Sequence, residues 1–317
     1  MKTLIIDKDH SELHYQGGNL TVYTAGKRVS TVPVRQLERV IVSPQVTITA
    51  GVLGVIAEQH VSLMVLNARL PARTATLAGH HSGDHQRRLA QYQCSLDQAF
   101  CVQIATRLIA MKIGRQRTVL QNALQKRPEL RRVLTKAIKQ LETASTTLTA
   151  SAHHDLTVLN GIEGAAARAY FQAYTQLFCP RLNFTGRNRR PPLDPVNAIL
   201  SLSYTLLHHE AVNALKIYGL DPSLGFYHQT YYGRDSLACD VIEPLRPYLD
   251  KWIWRLFAGQ TLTDGHFVYD GPACLLADAG KPIFYKGFFT EAKALKRLLR
   301  HYALHLVNTL HEAQAHG

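Results

Sequence analysis

The sequence contains few cysteines, and their spacing argues against two common uses. Five cysteines, an odd number, are scattered over the 317 residues, and no two of them form a Cys-x-x-Cys pair. A disulfide framework and a zinc knuckle both need paired or closely spaced thiols, so neither is supported. We expect these cysteines to be reduced and mostly buried.

Long hydrophobic runs are also lacking. No apolar stretch reaches the roughly 18 residues that a membrane-spanning helix requires. The apolar segment near the start of the chain, residues 4–6, ends at Asp7, which makes it too short for the hydrophobic region of a signal peptide. The sequence therefore predicts a cytoplasmic protein without a membrane partner.

Acidic residues are scarce relative to basic ones. The chain has 36 Lys and Arg against 23 Asp and Glu, a formal net charge of +13 at pH 7. An excess of this size favours a polyanionic partner such as nucleic acid. Between positions 107 and 139 the only acid is Glu129. The basic residues of that segment are Arg107, Lys112, Arg115, Arg117, Lys126, Arg127, Arg131, Arg132, Lys136 and Lys139.

We interpret the segment 107–139 as a phosphate-facing surface and predict that Arg131 and Arg132 contact DNA. A solvated helix face is the alternative interpretation, although such faces usually mix charges of both signs. A basic helix lying on a membrane surface is a second alternative. It accounts less well for the acidic residues described below.

The first 78 residues have the pattern of a β-rich domain. Residues 11–15 and 19–23 alternate in polarity around Gly17-Gly18, a pair typical of a hairpin turn. Three further strands are predicted at 28–34, 37–42 and 61–66, and a short helix is predicted at 49–59. This part of the chain has no acidic or histidine cluster, so we expect it to serve as a scaffold or association surface.

Residues 79–88 are predicted to be a linker because the segment is polar and separates two different periodicities. Its histidines, His80, His81 and His85, could bind a metal, but beside Gly, Ser and Asp we interpret them as solvated. Residues 89–317 show apolar side chains every three or four positions, the helical pattern. The predicted fold class is therefore α+β, a small N-terminal β-rich domain followed by a larger all-α catalytic lobe.

A loop rich in proline and arginine precedes one of the predicted helices. Asp194 is predicted to cap that helix, and Pro195 to occupy its first position. The prolines stiffen the loop, and planar guanidinium groups suit phosphate oxygens. We therefore expect at least one of Arg187, Arg189 and Arg190 to hold a DNA backbone. Pairing of these arginines with nearby acids is the alternative.

Two segments carry the residues that could perform chemistry. His228 precedes Glu243 by fifteen residues, and Glu163 lies 65 positions before His228 in a helix of small residues. Carboxylate oxygens with one imidazole nitrogen suit Mg²⁺ or Mn²⁺, whereas structural zinc would more often recruit thiolates. Asp240 shares a helical face with Glu243, so one of the two can ligate while the other orients. The alternative is a solvated acidic face with an ordinary histidine.

Nearly the whole chain resembles a known family, the CRISPR-associated integrases that are the first of the numbered Cas proteins. The resemblance is specific in three blocks, namely Gly161-Ile162-Glu163-Gly164 with residues 167–171, the loop 187–197, and residues 225–247. It implies that Glu163, His228 and Glu243 are the metal-binding and catalytic residues. Asp240 would orient them or take over as a ligand.

The resemblance also implies an activity and partners. Such a protein inserts short DNA fragments into a CRISPR repeat array, using Mg²⁺ or Mn²⁺ for transesterification, and the same site cuts DNA as part of antiviral defence. It would form a homodimer through the β-domain, and two such dimers would clamp a dimer of the small ferredoxin-like second Cas protein. A mobile-element integrase of the same fold and a catalytically silent DNA-binding protein are the alternatives.

Overall fold

The computed structural model describes residues 2–67, 69, 73–77, 85–150, 155–188, 191–228 and 233–315. The chain divides into two compact units, residues 1–82 and 83–317. Strands dominate the first unit and helices the second, so the predicted α+β class is confirmed.

The first unit consists of two small sheets and one helix. Its elements are β1 (Lys2–Ile6), β2 (Ser11–Gln16), β3 (Asn19–Thr24), β4 (Lys27–Pro33), β5 (Leu37–Val42), β6 (Thr47–Ile48), α1 (Ala50–Glu58), β7 (Ser62–Val65) and β8 (Ala75–Leu77). The sheets have the strand orders β1-β5-β7-β8 and β4-β3-β2-β6. Every strand and the helix predicted in this region are confirmed. β1, β6 and β8 were missed, because β1 and β6 pair in parallel with distant strands and so leave no local hairpin signal.

The hairpin of β2 and β3 shows how the sequence fixes the register of a sheet. Gly17 and Gly18 have φ angles of +56° and +79°, a region that residues with a Cβ rarely adopt. This turn places Leu13 opposite Val22. Leu13 and Leu20 are both 0% exposed, so the apolar face of the hairpin lies in the core of the first unit.

The second unit is built from eight helices and one hairpin within its described residues. They are α2 (His85–Leu96), α3 (Gln98–Lys126), α4 (Arg131–Ala150), α5 (Leu156–Thr175), α6 (Pro195–Ile217), α7 (Ser236–Ile242), α8 (Arg246–Ala258), β9 (Phe267–Asp270), β10 (Ala273–Leu276) and α9 (Lys281–Ala315). The two strands correct the prediction of an all-α lobe. These strands are too short to show a clear alternation of polar and apolar residues in the sequence. The backbone N–H of Cys274 in β10 donates to the carbonyl of Pro192, which joins the hairpin to the loop before α6.

The predicted linker is shorter than residues 79–88, because helix α2 already begins at His85. Polar side chains of α2 make hydrogen bonds to other parts of the second unit. The Arg87 guanidinium donates to the Tyr218 carbonyl, and the buried Gln91 amide donates to the carbonyls of Asp221 and Leu224 at 2.9 and 2.7 Å. The polar composition of residues 85–88 was therefore interpreted as a linker although these residues begin a helix. His80 and His81 lie outside the described residues.

Membrane spans and disulfide bonds were not expected from the sequence. Among its described residues, as in the first unit, no helix is long and apolar enough to cross a membrane. All five cysteines are free; Cys94, Cys101 and Cys274 are buried, while Cys179 is exposed.

Asp194 caps helix α6 as predicted. Its carboxylate accepts from the backbone N–H of Asn197 at 2.8 Å and from the Asn197 side-chain amide at 2.6 Å. The Asn197 amide in turn donates to the carbonyl of Gly186. The cap is buried, with Asp194 only 5% exposed, so it joins the start of α6 to the preceding loop.

We predict that Asp194→Ala lowers the free energy of unfolding of the second unit by about 2 kcal/mol, the upper end for a lost N-cap. Both tryptophans of the chain, Trp252 and Trp254, lie on α8, so fluorescence during urea unfolding reports on this unit. Asp155→Ala, which removes the exposed cap of α5, is the matched control and should cost about 0.5–1 kcal/mol. Equal losses in the two variants would contradict the buried-cap interpretation.

Candidate active site

Lys112 lies at the centre of the candidate site, although the sequence analysis assigned it to a phosphate-facing surface. It occupies the inner face of α3 and is 8% exposed. Its ammonium donates to Oε1 of Glu163 and, at 2.5 Å, to Oε2 of Glu243. Burial lowers the pKa of Lys112, but the two carboxylates outweigh it and raise that pKa above its ordinary value. A buried, charged lysine therefore joins the two predicted acidic ligands.

Glu243 is the more deeply buried of the two carboxylates. It begins a 3-10 turn, Glu243–Leu245, that connects α7 to α8, and its side chain is 7% exposed. Its second oxygen, Oε1, accepts from the Arg246 guanidinium at 2.8 Å. Burial raises the pKa of Glu243, but the charges of Arg246 and Lys112 lower it to about 2. Glu243 is therefore ionised at neutral pH with both oxygens engaged.

Glu163 lies at the open side of the site. Its side chain is 21% exposed, and it projects from α5 between Gly161 and Gly164, where added Cβ atoms would meet nothing within 4 Å. The small neighbours leave the carboxylate uncovered, consistent with the position at a core boundary that the sequence predicted.

His228 is oriented by Asp240. The ring nitrogen Nδ1 lies 2.6 Å from Oδ1 of Asp240. Because an ionised carboxylate only accepts hydrogen bonds, Nδ1 carries the proton, and Nε2 keeps a free lone pair. This pairing of a carboxylate with a histidine is the usual support for a metal-ligating imidazole.

Asp240 itself is fully committed to the protein. It is 0% exposed, and besides the imidazole it accepts from the backbone N–H groups of Phe226, Tyr227 and His228 at 2.7, 3.0 and 2.9 Å. Four donors occupy the lone pairs of its two oxygens, which favours the orienting role over that of an alternative ligand. Gly225 is required beside it, since a Cβ there would lie 2.7 Å from Oδ2 of Asp240.

A buried polar network supports Glu243 from behind. The Arg246 guanidinium lies over the ring of Tyr204, 4.9 Å from its centroid. The hydroxyl of Tyr204 donates to Asp250, as does that of Tyr170 at 2.9 Å. Burial raises the pKa of Asp250 to about 6, despite the opposing hydrogen bonds from the two tyrosines. The network therefore holds Arg246 in place against Glu243.

The donor chemistry of this site fits a divalent cation. Glu163 and Glu243 converge on one ammonium, which shows that a cation is favourable between them, and the free Nε2 of His228 supplies a nitrogen donor. Within the described part of the chain, no three His, Cys, Asp or Glu side chains are grouped as a metal site; Lys112 occupies the convergence point.

Six of the ten basic residues between 107 and 139 are exposed, namely Arg107, Lys126, Arg131, Arg132, Lys136 and Lys139. Arg132, Lys136 and Lys139 are spaced four and three apart and share a face of α4. Lys112 is buried as described, and Arg115 is a brace, since its guanidinium donates to the carbonyl of Pro244 at 2.8 Å. The exposed basic surface therefore includes only part of the basic residues in the segment 107–139.

Of the three loop arginines predicted to include a DNA contact, the structure describes Arg187. Arg187 donates to the side chains of Asn197 and Ser201 at 2.8 and 3.2 Å and lies 5.6 Å from the ring centroid of Tyr204. These contacts favour a role in bracing the loop. Arg189 and Arg190 lie outside the described residues.

A second basic stripe, which was not predicted from the sequence, lies on α9. Its members are the exposed residues Lys286, Lys293, Arg297 and Arg300. Their spacings of seven, four and three place them on one face of the helix, but they are spread too thinly along the sequence to appear as a charge run. Lys112 was missed for another reason. It falls four residues after the buried Leu108 and is therefore on the apolar stripe, a signal that the sequence did contain.

Comparison with known proteins gives consistent results. The family model described as CRISPR associated protein Cas1 matches residues 4–289. A CRISPR-associated endonuclease Cas1 from Thermodesulfovibrio yellowstonii is 36% identical over 287 residues, covering 90% of this chain and 89% of the relative.

Solved structures share the fold. One, a Cas6-RT-Cas1–Cas2 complex, matches with a TM-score of 0.84 and 22% identity over 98% of this chain and 35% of that chain. Another, a casposase bound to integration product, has a TM-score of 0.81 and 19% identity over 98% of this chain and 91% of that chain.

We predict a specific pH dependence from Asp250. Its pKa in the folded protein, about 6, exceeds the ordinary value of 3.8, so the folded state holds this proton more tightly. The resulting stability is present below about pH 4 and is lost as the pH rises through 6, an amount of about 3 kcal/mol. Urea unfolding of wild type and Asp250→Asn between pH 4 and 7 should show wild type losing most of this amount relative to the variant. Asp264→Asn, at an exposed position, is the control, and a difference independent of pH for Asp250→Asn would refute the shift.

Proposed function

This chain belongs to the CRISPR-associated protein Cas1 family, and from that membership we propose that it is a metal-dependent DNA endonuclease and integrase. Its substrate would be a short DNA fragment that is inserted into a CRISPR repeat array. The observation that carries the proposal is the convergence of Glu163 and Glu243 on one cationic position, beside a histidine whose tautomer is fixed by Asp240.

Each residue of the site has a defined role in this proposal. Glu163, Glu243 and Nε2 of His228 would hold Mg²⁺ or Mn²⁺, which when bound acts as a Lewis acid toward a phosphoryl oxygen. Asp240 keeps the proton of His228 on Nδ1, so that Nε2 faces the site. Arg246 keeps Glu243 ionised and fixed, because its guanidinium bonds Oε1 and leaves Oε2 directed at the centre.

The proposed reaction is a transesterification. The 3′-hydroxyl of the fragment attacks a phosphodiester at the repeat boundary, a new P–O bond forms, and the existing P–O bond to the neighbouring 3′ oxygen breaks. The attacking hydroxyl loses its proton and the leaving oxygen gains one, so bonds and charge balance without a cofactor that supplies energy. With water as the attacking group, the same steps cut DNA.

DNA and protein partners are part of the proposal. The exposed basic residues of α4 and α9 are suited to phosphates. The similar structures are described as a Cas6-RT-Cas1–Cas2 complex and as a casposase bound to integration product. By analogy, we propose that this chain forms a homodimer through its first unit and assembles, as four copies with two, around the small ferredoxin-like second Cas protein in the cytoplasm.

A mobile-element integrase of the same fold is the second candidate. Similarity to a casposase at a TM-score of 0.81 favours it. The two functions differ in the target, so an integration assay with plasmids that contain or lack a CRISPR repeat separates them. Selective insertion at the repeat boundary supports the first candidate, and insertion independent of the repeat supports the second.

We predict that Glu163→Ala, His228→Ala and Glu243→Ala each abolish strand transfer while most DNA affinity remains, because each removes a metal ligand and no phosphate contact. Asp240→Asn should reduce transfer by about 10- to 100-fold, the usual cost of losing a group that orients a ligand. The measurements are half-site integration into a plasmid with labelled fragment and Mn²⁺, and a binding titration.

Glu142→Ala is the matched control for these variants, since it removes an exposed carboxylate from α4. It should integrate like wild type. Near wild-type transfer by two of the three alanine variants, with Mn²⁺ present, would show that the site has been assigned to the wrong residues.

We predict that DNA binding depends strongly on salt and little on sequence, because an exposed basic surface acts by releasing counterions. Reversing the charges of Arg131 and Arg132 to Glu should reduce the slope of log K against log salt by up to about 1.8, at roughly 0.9 per lost phosphate contact. The double reversal Lys27→Glu with Arg28→Glu makes the same change in net charge at an exposed hairpin of the first unit and is the control. An unchanged slope in the α4 variant would mean that this helix is merely solvated.

A further inference from the structure

The chain carries its own cation at the position where the proposed site would take a metal ion. The Lys112 ammonium lies between the carboxylates of Glu163 and Glu243, which come from α5 and from the turn after α7. We propose that Lys112 is a resident cation that keeps this acidic pair together without the divalent ion and that the ion must displace it. The inference rests on the proposed function and specifies how its metal site is filled.

The two carboxylates depend on Lys112 to different degrees. Glu243 has a second cation, because Arg246 bonds its Oε1 while Lys112 bonds its Oε2. For Glu163, Lys112 is the sole ion-pair partner among the residues that the structure describes. Removing the ammonium would therefore leave Glu163 facing another carboxylate without compensation, and like charges at such a distance repel.

An ammonium and a divalent ion cannot occupy this position together. Lys112 donates to Oε1 of Glu163 and to Oε2 of Glu243, the oxygens that converge on the centre and that an ion between them would need. A divalent ion held by these two oxygens would take the place that the ammonium nitrogen now fills. Oε1 of Glu243 is directed at Arg246 and offers no second route.

The surroundings permit the displacement. Of Lys112, Glu163 and Glu243, Glu163 has the most exposed side chain, at 21%, so an ion can approach from its side. Arg246 would remain on Glu243 and preserve the position of that carboxylate. The lysine stem has four flexible carbons, which lets the ammonium leave the pair while α3 stays in place.

Competition of this kind has two opposite consequences. Lys112 stabilises the protein without metal, and it weakens the affinity for the metal by the same contacts. Neutralising Lys112 should therefore destabilise the metal-free protein and tighten metal binding. A lysine that only fastens helices together would give the first effect without the second.

The test is a titration with Mn²⁺ alone, without DNA, in which free Mn²⁺ is measured by electron paramagnetic resonance, together with thermal unfolding. Lys112→Met should lower the Kd for Mn²⁺ by at least about tenfold, since a positive charge next to the ion is removed. It should also unfold at a lower temperature than wild type without Mn²⁺ and recover more on its addition. Lys112→Arg, which keeps the charge, should bind Mn²⁺ about as wild type does.

Lys126→Met, at an exposed position near the end of the same helix, is the matched control and should leave both measurements unchanged. Lys112→Gln replaces the methionine variant if the latter does not fold. A folded, neutral variant at position 112 that binds Mn²⁺ no more tightly than wild type overturns the inference.

Glu163→Ala separates this result from failure of the proposed function. If wild type binds Mn²⁺ and Glu163→Ala does not, the metal site stands, and the comparison at Lys112 decides the inference by itself. If neither wild type nor the variants at Lys112 bind Mn²⁺, the proposed metal site is wrong, and the role of Lys112 as its resident cation is overturned with it.

Discussion

The burial of Glu243 is the constraint on which the rest of the catalytic unit depends. A carboxylate that is 7% exposed would be very costly if it were unpaired, because the interior solvates charge poorly. Arg246 and Lys112 each compensate one of its oxygens. The Arg246 guanidinium is in turn packed against Tyr204, whose hydroxyl bonds to Asp250, and the Lys112 ammonium is also paired with Glu163. One buried acid thus specifies contacts among α3, α5, α6 and α8.

A second buried carboxylate, Asp240, fixes the position of the histidine in the same way. Asp240 is held by three backbone N–H groups and the imidazole, so the segment that carries His228 is folded around a carboxylate from α7. Gly225 is part of that arrangement because only a residue without a Cβ fits against Asp240. The imidazole is therefore oriented by the backbone as much as by its own packing.

Local signals in the sequence predicted most of the fold. Period-two alternation, the Gly17-Gly18 pair and the Asp194 cap each depend on neighbouring residues, and all three are confirmed. Strands β1 and β6 were missed because parallel pairing joins segments that are distant in sequence. The linker was extended too far along the chain because Arg87 already lies in α2 and bonds to the Tyr218 carbonyl, a contact that composition does not reveal.

For the candidate site, the sequence indicated which residue types matter but not how they share charge. Glu163 and Glu243 were predicted from their chemistry, and the structure brings both to one nitrogen. That the nitrogen belongs to Lys112 could not be deduced from a count of basic residues, because counting ignores the face of the helix. Its place on the apolar stripe of α3 was the discriminating signal.

Helix α3 also has a consequence for how the length of this chain can change. Its start is fixed by the cap at Asp97, whose side chain accepts from Ala99 and Phe100, and Lys112 lies about four turns further along. One residue added or removed between Asp97 and Lys112 would rotate the ammonium by about 100°, away from both carboxylates. Arg115, bonded to the Pro244 carbonyl, would be displaced with it. Within α3, insertions and deletions are therefore tolerable only beyond Arg115, so the first half of this helix must keep a fixed length.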